Sequence, residues 1–166
     1  MGIENEIKQY RFTGENQKAL INLMYTYHWV TERLKAILSQ NDITLQQYNI
    51  LRILRGSDPK PLSTLNIRDR MLDKMSDTSR IVDRLMLKGL VDKKNCTTDK
   101  RLVDVNITEA GKKLLTAIDE KDEEAMTGII SNLDHSELVR LNQLLDKLRE
   151  KSGPSFAPDK PDAGNQ

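Results

Sequence analysis

Apolar residues recur every three or four positions along most of this chain, which is the pattern of amphipathic helices. The longest such stripe extends from about residue 14 to residue 40 and predicts one long helix. A stripe of this length is larger than one small domain can cover, so we expect the helix to pack against a partner. The apolar positions of the stripe are Leu20, Leu23, Met24, Tyr27, Val30, Leu34, Ile37 and Leu38.

Two short polar patterns predict where further helices begin. Thr44 is followed three residues later by Gln47, and Asp134 by Glu137, and both pairs have the spacing of a capping box. The helix after Thr44 is expected to end before residues 57–61, which contain two prolines. The helix after Asp134 carries a stripe of five leucines, namely Leu138, Leu141, Leu144, Leu145 and Leu148.

Another helix is expected from residue 108, and an acidic run at 119–124 interrupts its apolar stripe. Runs of like charge usually face solvent, so we interpret this run as a solvated face near a bend. The stripe consists of Leu114, Leu115, Ile118, Ala125, Met126, Ile129 and Ile130.

The centre of the chain predicts a first helix from residue 62, a short turn, and a second helix at about 75–88. The second helix stops at Gly89, a common residue at helix C-termini. Its buried face is expected to hold Ile81, Val82, Leu85 and Met86.

Two strands, at 90–94 and 102–107, are expected next, because the second alternates cleanly between polar and apolar residues. A polar loop with a basic tip lies between them. Two helices followed by such a hairpin are the layout of a winged helix-turn-helix. In that fold one helix lies in the major groove of DNA and the hairpin reaches the flanking backbone or minor groove.

Composition supports a helical protein, since aromatic residues make up only 4% of the 166 residues and charged residues 31%. A single cysteine excludes an intramolecular disulfide. No apolar run approaches the roughly 20 residues of a membrane-spanning helix, and the first residues lack a signal-peptide pattern. We therefore expect a soluble, cytoplasmic protein.

The charges are distributed unevenly, although the formal net charge is only +1. Residues 44–112 contain 14 Lys and Arg against nine Asp and Glu, a net of +5, and the rest of the chain has a net of −4. A basic middle between acidic ends is expected when one lobe meets phosphate and the others do not.

Four motifs in this central stretch are similar in order and spacing to the multiple antibiotic resistance regulator (MarR) family. They are Ser-Arg-Ile-Val-Asp-Arg-Leu at 79–85, Lys-Gly-Leu-Val at 88–91, Asp-Lys-Arg at 99–101 and Ile-Thr-Glu-Ala-Gly at 107–111. The resemblance implies a dimeric winged-helix transcription regulator of bacterial or archaeal type.

The exposed face of the second central helix supplies candidate DNA contacts. We expect Arg80 to reach a guanine edge or a phosphate, Ser76 and Thr78 to bond bases or phosphates, and Arg84 to bind the backbone. Asp77 lies among them and belongs to the same candidate set. The alternative, an ordinary charged helix surface, is less favoured because the basic hairpin follows.

In the wing, Asp99 is expected to brace the guanidinium of Arg101 beside Lys100, while Arg101 enters a narrow minor groove. The family pattern implies the same roles, and the alternative is a solvated turn. Cys96 lies in this loop near lysines that would favour its thiolate. We interpret it as an incidental surface cysteine rather than a redox sensor.

A candidate effector pocket combines Tyr25, His28 and Trp29 of the first long helix with Tyr48 of the next helix. Such an aromatic pocket would suit a small aromatic or lipophilic effector, and the alternative is core packing. His28 and His135 are the only histidines, and no Cys/His cluster has metal-ligand spacing. No sequence motif indicates catalysis or a cofactor.

The sequence thus predicts a mainly α fold with a small β wing, a winged helix-turn-helix flanked by dimerisation helices. We assign residues 1–43 to an N-terminal dimerisation helix, 44–112 to the DNA-binding lobe, 113–151 to C-terminal dimerisation helices and 152–166 to a disordered tail. The expected function is a homodimeric transcription regulator, a repressor, that binds a pseudo-palindromic operator and is released by an effector. The alternative is a winged-helix module for protein–protein interaction, and the basic residues Lys100 and Arg101 argue against it.

Overall fold

The computed structural model describes residues 2–95 and 103–150, without the side chains of residues 95 and 121–126. Cys96, Asp99, Lys100, Arg101 and the predicted tail at 152–166 lie outside the described residues. The elements that the described residues form are α1 (Ile3–Glu6), α2 (Glu15–Ser39), α3 (Leu45–Ser57), β1 (Leu62–Ser63), α4 (Thr64–Arg70), α5 (Thr78–Leu87), β2 (Val91–Asn95), β3 (Val103–Ile107), α6 (Glu109–Gly128) and α7 (His135–Arg149).

The small sheet is antiparallel, with strand order β1-β3-β2. Strand β3 pairs with β2 over five residues, from Val91 opposite Ile107 to Asn95 opposite Val103. It also pairs with β1, where Leu62 lies opposite Val105. The predicted fold class, mainly helical with a small β wing, is confirmed.

Both predicted capping boxes are confirmed. Gln47 donates its backbone N–H to Thr44 Oγ1 over 3.2 Å, and Thr44 N–H donates to Gln47 Oε1 over 3.0 Å. Asp134 and Glu137 make the same reciprocal pair of bonds, each 2.9 Å long, at the start of α7. Each box therefore satisfies two backbone N–H donors that a helix start would otherwise leave open.

Helix α5 begins at Thr78, three residues later than the predicted start at residue 75. Asp73 holds the preceding segment in a turn, because its carboxylate accepts the Met75 N–H over 3.0 Å and the Ser76 hydroxyl over 2.6 Å. These bonds hold the pKa of Asp73 below its usual value, the Ser76 hydroxyl contributing most. Asp77 then caps the helix by accepting the Arg80 N–H.

One burial prediction for α5 is wrong: Met86 is 41% exposed. The buried side instead consists of Thr78, Val82 and Leu85, spaced by four and three residues. These three residues form a single line along the buried side of the helix. Met86 lies beside that line and is therefore exposed.

The core of the winged lobe is built around α3, whose Ile50, Leu51 and Leu54 are buried. The flanking helices contribute to the same cluster through Leu38 of α2 and through Leu115 and Ile118 of α6. Packing is therefore continuous across the boundaries that were assigned at residues 43 and 112. The remaining buried members are Ile43, Leu62, Ile67, Met71, Val82, Leu85, Leu90, Val91, Val105 and Ile107.

Helix α6 approaches the wing so closely at Gly111 that a larger residue would not fit. A Cβ there would lie 2.4 Å from the carbonyl oxygen of Leu90 and 2.8 Å from the side chain of Ile107. Thr108 fixes the same junction, because its hydroxyl donates to the Gly89 carbonyl oxygen over 2.7 Å.

Helix α6 is continuous through the acidic run, where a bend was expected. Asp119, the first residue of the run, bridges Arg52 and Arg55 of α3 over 3.1 and 2.7 Å. A second contact joins Lys112 to Asp58 over 2.7 Å. Side-chain bonds to Asp58, and then to Glu109, raise the pKa of Lys112 above its usual value.

The chain divides into two compact units, residues 1–129 and 130–166. In the second unit, α7 contains no buried residue. No helix in the described part of the chain is both long enough and apolar enough to cross a membrane.

Candidate nucleic-acid interface

The outer face of α5 carries two arginines one turn apart. Arg80 and Arg84 are both exposed, and the Arg80 side chain has 81% of its surface accessible. Asp83 follows Arg80 by three residues and therefore shares a face of the helix with it. Among the residues that the structure describes, Arg84 makes no ion pair. This face therefore presents charged donors of the kind that contact base edges and phosphates.

Asp77 has a local structural role at the start of this face. One carboxylate oxygen accepts the Arg80 N–H over 3.2 Å, and the other lies 3.1 Å from Arg80 Nε. The cap fixes where α5 begins, and the ion pair holds the Arg80 side chain beside it. Direct DNA contact by Asp77 stays a prediction, but the structure already accounts for an acid at this position.

Thr78 does not belong to the exposed face, contrary to the interpretation of the sequence. It is 5% exposed, and its hydroxyl lies 3.3 Å from Met71 Sδ and 3.4 Å from the Ser76 carbonyl oxygen. Its position one residue after the cap turns it towards the core rather than towards solvent. Ser76 is half-buried, and its hydroxyl donates to Asp73, so an oxygen acceptor is what it has left to offer.

A polar cleft of about 280 Å³ separates the arginines of α5 from the start of α3. Gln46 lines this cleft but was not identified from the sequence, because its neighbours Thr44 and Gln47 indicated only a helix start. Arg68 of α4 was also missed; it borders a second polar cleft, of about 240 Å³, beside Ser79. The first cleft is lined by Thr44, Gln46, Gln47, Ser76, Asp77, Arg80, Ile81 and Arg84.

An ion pair joins the wing strands to α5. Lys93 of β2 donates a charged hydrogen bond to Asp83 of α5. At the end of α5, Lys88 Nζ pairs with Asp42 Oδ2 over 2.8 Å. The candidate contacts Asp99, Lys100 and Arg101 lie outside the described residues, so their placement stays a prediction.

Within the described residues, the four members of the predicted effector pocket lie in different surroundings. Tyr25 and Trp29 border a cleft of about 250 Å³ with Ile3 and Glu6. The Tyr25 hydroxyl donates to Glu6 over 3.1 Å, and this bond raises the pKa of the tyrosine. The cleft thus combines two aromatic side chains with one carboxylate.

The other two members of the predicted pocket lie elsewhere. His28 is exposed on α2, whereas Tyr48 is half-buried against the core, with the Arg52 guanidinium 5.9 Å from its ring centre. A separate cleft of about 300 Å³ between α2 and the lobe is lined by Tyr27, Thr31, Lys35, Leu45, Gln46, Asn49, Met71, Leu72 and Asp73.

Three comparisons with known proteins agree with this architecture. The family model "MarR family" matches residues 43–103, which span α3 to the start of β3. An uncharacterised HTH-type transcriptional regulator, YhbI of Bacillus subtilis, is 30% identical over 128 residues, covering 72% of this chain and 81% of that protein.

Solved structures show the same fold. A MarR transcription factor from Planctomyces limnophilus is 34% identical, with a TM-score of 0.64, over 82% of this chain and 99% of that one. A mutant MarR from E. coli, complexed with operator DNA, has a TM-score of 0.74 at 22% identity, over 84% of this chain and 99% of that one.

Three findings together identify the family. They are the winged lobe, its match to the family model, and relatives that are at least 30% identical. The chain belongs to the MarR family and is a DNA-binding transcription regulator, not an enzyme.

Proposed function

We propose that this protein is a homodimeric repressor whose α5 helices enter successive major grooves of a pseudo-palindromic operator. The observation that carries the proposal is the exposed pair Arg80 and Arg84 on a helix whose opposite side is fixed in the core by Val82 and Leu85. A helix held in this way presents its arginines at a constant height above the lobe, which base recognition requires.

Apolar side chains left exposed in the single chain support the dimer. On α2, Leu20, Met24 and Tyr27 have more than half of their surface accessible. On α7, four apolar residues are exposed, namely Val139, Leu141, Leu144 and Leu148. Exposed apolar side chains that recur along a helix are characteristic of association sites, and a two-fold dimer is the commonest soluble assembly.

Two-fold symmetry would determine the form of the operator. Two α5 helices would contact half-sites one helical turn apart, roughly 34–36 Å, or at another whole number of turns. A dimer bound at a promoter in this way would exclude other proteins from the DNA, which favours repression. A protein of the same fold from E. coli was crystallised with operator DNA, which supports DNA as the partner of this fold.

We further propose that a small aromatic or lipophilic effector releases the DNA. Two clefts offer a place for it: the one bordered by Tyr25 and Trp29, and the one between α2 and the lobe that includes Tyr27 and Met71. A ligand that binds better to a lobe separation that misfits the operator would shift the population towards that state. A DNA-bound regulator of this kind would act in the cytoplasm.

The direct test is selection of bound fragments from fragmented genomic DNA by the purified protein. The proposal expects enrichment of one inverted repeat whose half-sites are separated by a whole number of helical turns. Recovery of DNA without any shared sequence would contradict it and would favour the interaction-module alternative.

A further inference from the structure

The ion pair between Asp83 and Lys93 joins the two parts of the lobe that the proposed function assigns to DNA. Asp83 is on α5, between Arg80 and Arg84, and Lys93 is on β2. The Lys93 side chain is only 23% exposed, whereas that of Asp83 is 52% exposed. The lysine therefore lies against the lobe and reaches outward to the carboxylate.

Lys93 is at the middle of the wing ladder. It lies opposite Val105 in a pairing of five residues between β2 and β3. Because backbone hydrogen bonds join the two strands, a contact that restrains Lys93 restrains both β2 and β3. The buried residues Val91 and Ile107 fix one end of the ladder in the core. The ion pair at Lys93 adds a second attachment two residues further along β2.

The neighbouring Lys94 shows that this attachment depends on position. Successive side chains of a strand point to opposite faces, so Lys94 faces away from the side on which Lys93 meets α5. Lys94 is exposed and makes no ion pair within the described part of the chain. Of these two adjacent lysines, Lys93 therefore pairs with a side chain of the lobe, whereas Lys94 faces solvent.

We infer that Lys93 and Asp83 are positioning residues that set the distance and angle between the recognition helix and the wing. The inference rests on the proposed DNA contacts of these two elements. A helix in the major groove and a hairpin at the flanking minor groove can bind together only at one spacing. The pair also neutralises a carboxylate that would otherwise face phosphates from between two arginines.

The test compares Lys93→Asp with Lys94→Asp, a matched control with the same change of charge one residue away. A third variant, Asp83→Lys with Lys93→Asp, restores the pair with its signs exchanged. Circular dichroism melting first establishes that each variant folds. Two readouts follow: hydrogen exchange of the β2 and β3 amides in the protein alone, and hydroxyl-radical protection of the selected operator.

In the protein alone, Lys93→Asp should accelerate amide exchange in β2 and β3, the Lys94→Asp control should not, and the exchanged pair should restore slow exchange. This readout involves no DNA, so its result is independent of whether the proposed function is correct. Equal exchange in all four proteins, or equal acceleration by both single variants, would overturn the inference.

On DNA, Lys93→Asp should remove protection of the flanking minor groove while protection of the major groove remains, with affinity about five- to tenfold lower per half-site. Lys94→Asp should lower affinity while the flanking protection remains, and the exchanged pair should recover that protection. Flanking protection that persists in Lys93→Asp would contradict the inference. Absence of any operator protection by the wild type would contradict the proposed function instead.

Discussion

Helices α5 and α7 begin with the same kind of cap, but they expose side chains of opposite character. Each starts behind an aspartate, Asp77 or Asp134, whose carboxylate accepts a backbone N–H three residues on. Helix α5 then buries three residues and exposes arginines. Helix α7 buries none and exposes leucines. The same local start thus leads to a charged face in one helix and an apolar face in the other.

The difference indicates what each surface can bind. Exposed guanidinium groups attract phosphate and form hydrogen bonds with base edges. Exposed leucines gain free energy only when another apolar surface covers them, at about 25 cal/mol for each Å² buried. We therefore expect substitutions on α7 to change assembly and substitutions on α5 to change DNA binding.

The largest effect is expected from Leu144→Glu on α7. In a two-fold dimer the substitution occurs twice, and each copy removes a leucine contact and places a charge in an apolar surface. The dissociation constant of the dimer should rise on the order of 100-fold above that of the wild type. Light scattering coupled to size-exclusion chromatography over a range of concentrations measures this change.

The control is Gln143→Glu, which adds the same charge to the adjacent exposed position of α7. It should leave the dimer intact, because residues 143 and 144 are about 100° apart around the helix. If the two variants dissociate equally, or the wild type is itself a monomer at micromolar concentration, the apolar stripe of α7 is not the dimer surface.

A smaller effect is expected from Arg101→Ala in the wing. A phosphate contact weakens binding to all sequences alike, so affinity for operator and random duplexes should fall together. The slope of log affinity against log salt should flatten by about one unit for each wing. Fluorescence anisotropy at several salt concentrations provides the measurement. A loss confined to the operator would show that Arg101 contacts bases instead.

The smallest effect comes from removing the two caps. Asp77→Ala and Asp134→Ala should each lower the melting temperature by only about 2–6 °C, because one helix-start bond is lost. Only Asp77→Ala should also alter operator affinity, because it releases Arg80 from its ion pair. If Asp134→Ala changes DNA binding as strongly at equal stability, the contrast between the two helices is wrong.

The Asp134 cap also predicts a dependence on pH. The Glu137 N–H, followed by the Ser136 hydroxyl, holds the pKa of Asp134 below its usual value of 3.8. A carboxyl with a lowered folded-state pKa contributes stability above its unfolded value, and that stability is lost as the pH falls through the lowered pKa. The melting temperature of Asp134→Ala should therefore lie furthest below that of the wild type at pH 7, and this difference should vanish in acid.

Local signals predicted the starts of α3 and α7. Thr44 with Gln47 and Asp134 with Glu137 act within four residues, so the sequence contains the whole interaction. The two-residue strand β1 was missed, because Leu62 and Ser63 are too few to alternate and their pairing partners lie more than 40 residues away. Long elements with a clear period were predicted, and short elements defined by distant partners were not.

Side-chain roles were harder to predict where a residue has two possible neighbours. Thr78 was placed on the exposed face, but the cap at Asp77 turns it towards Met71. The acidic run at 119–124 was interpreted as solvated near a bend, whereas its first residue, Asp119, pairs with two arginines of α3. Neither contact can be inferred from helical periodicity, because each depends on how separate elements pack.

The role of α5 as the recognition helix is tested most directly by the affinity of Arg80→Ala for the selected operator and for a random duplex, measured beside wild type. Arg140→Ala, which removes an exposed arginine from α7, is the matched control. We expect Arg80→Ala to reduce the preference for the operator by roughly 1–3 kcal/mol, because a base contact is lost, and Arg140→Ala to preserve it. An unchanged preference in Arg80→Ala, or an equal loss in both variants, would contradict the assignment of α5 as the recognition surface.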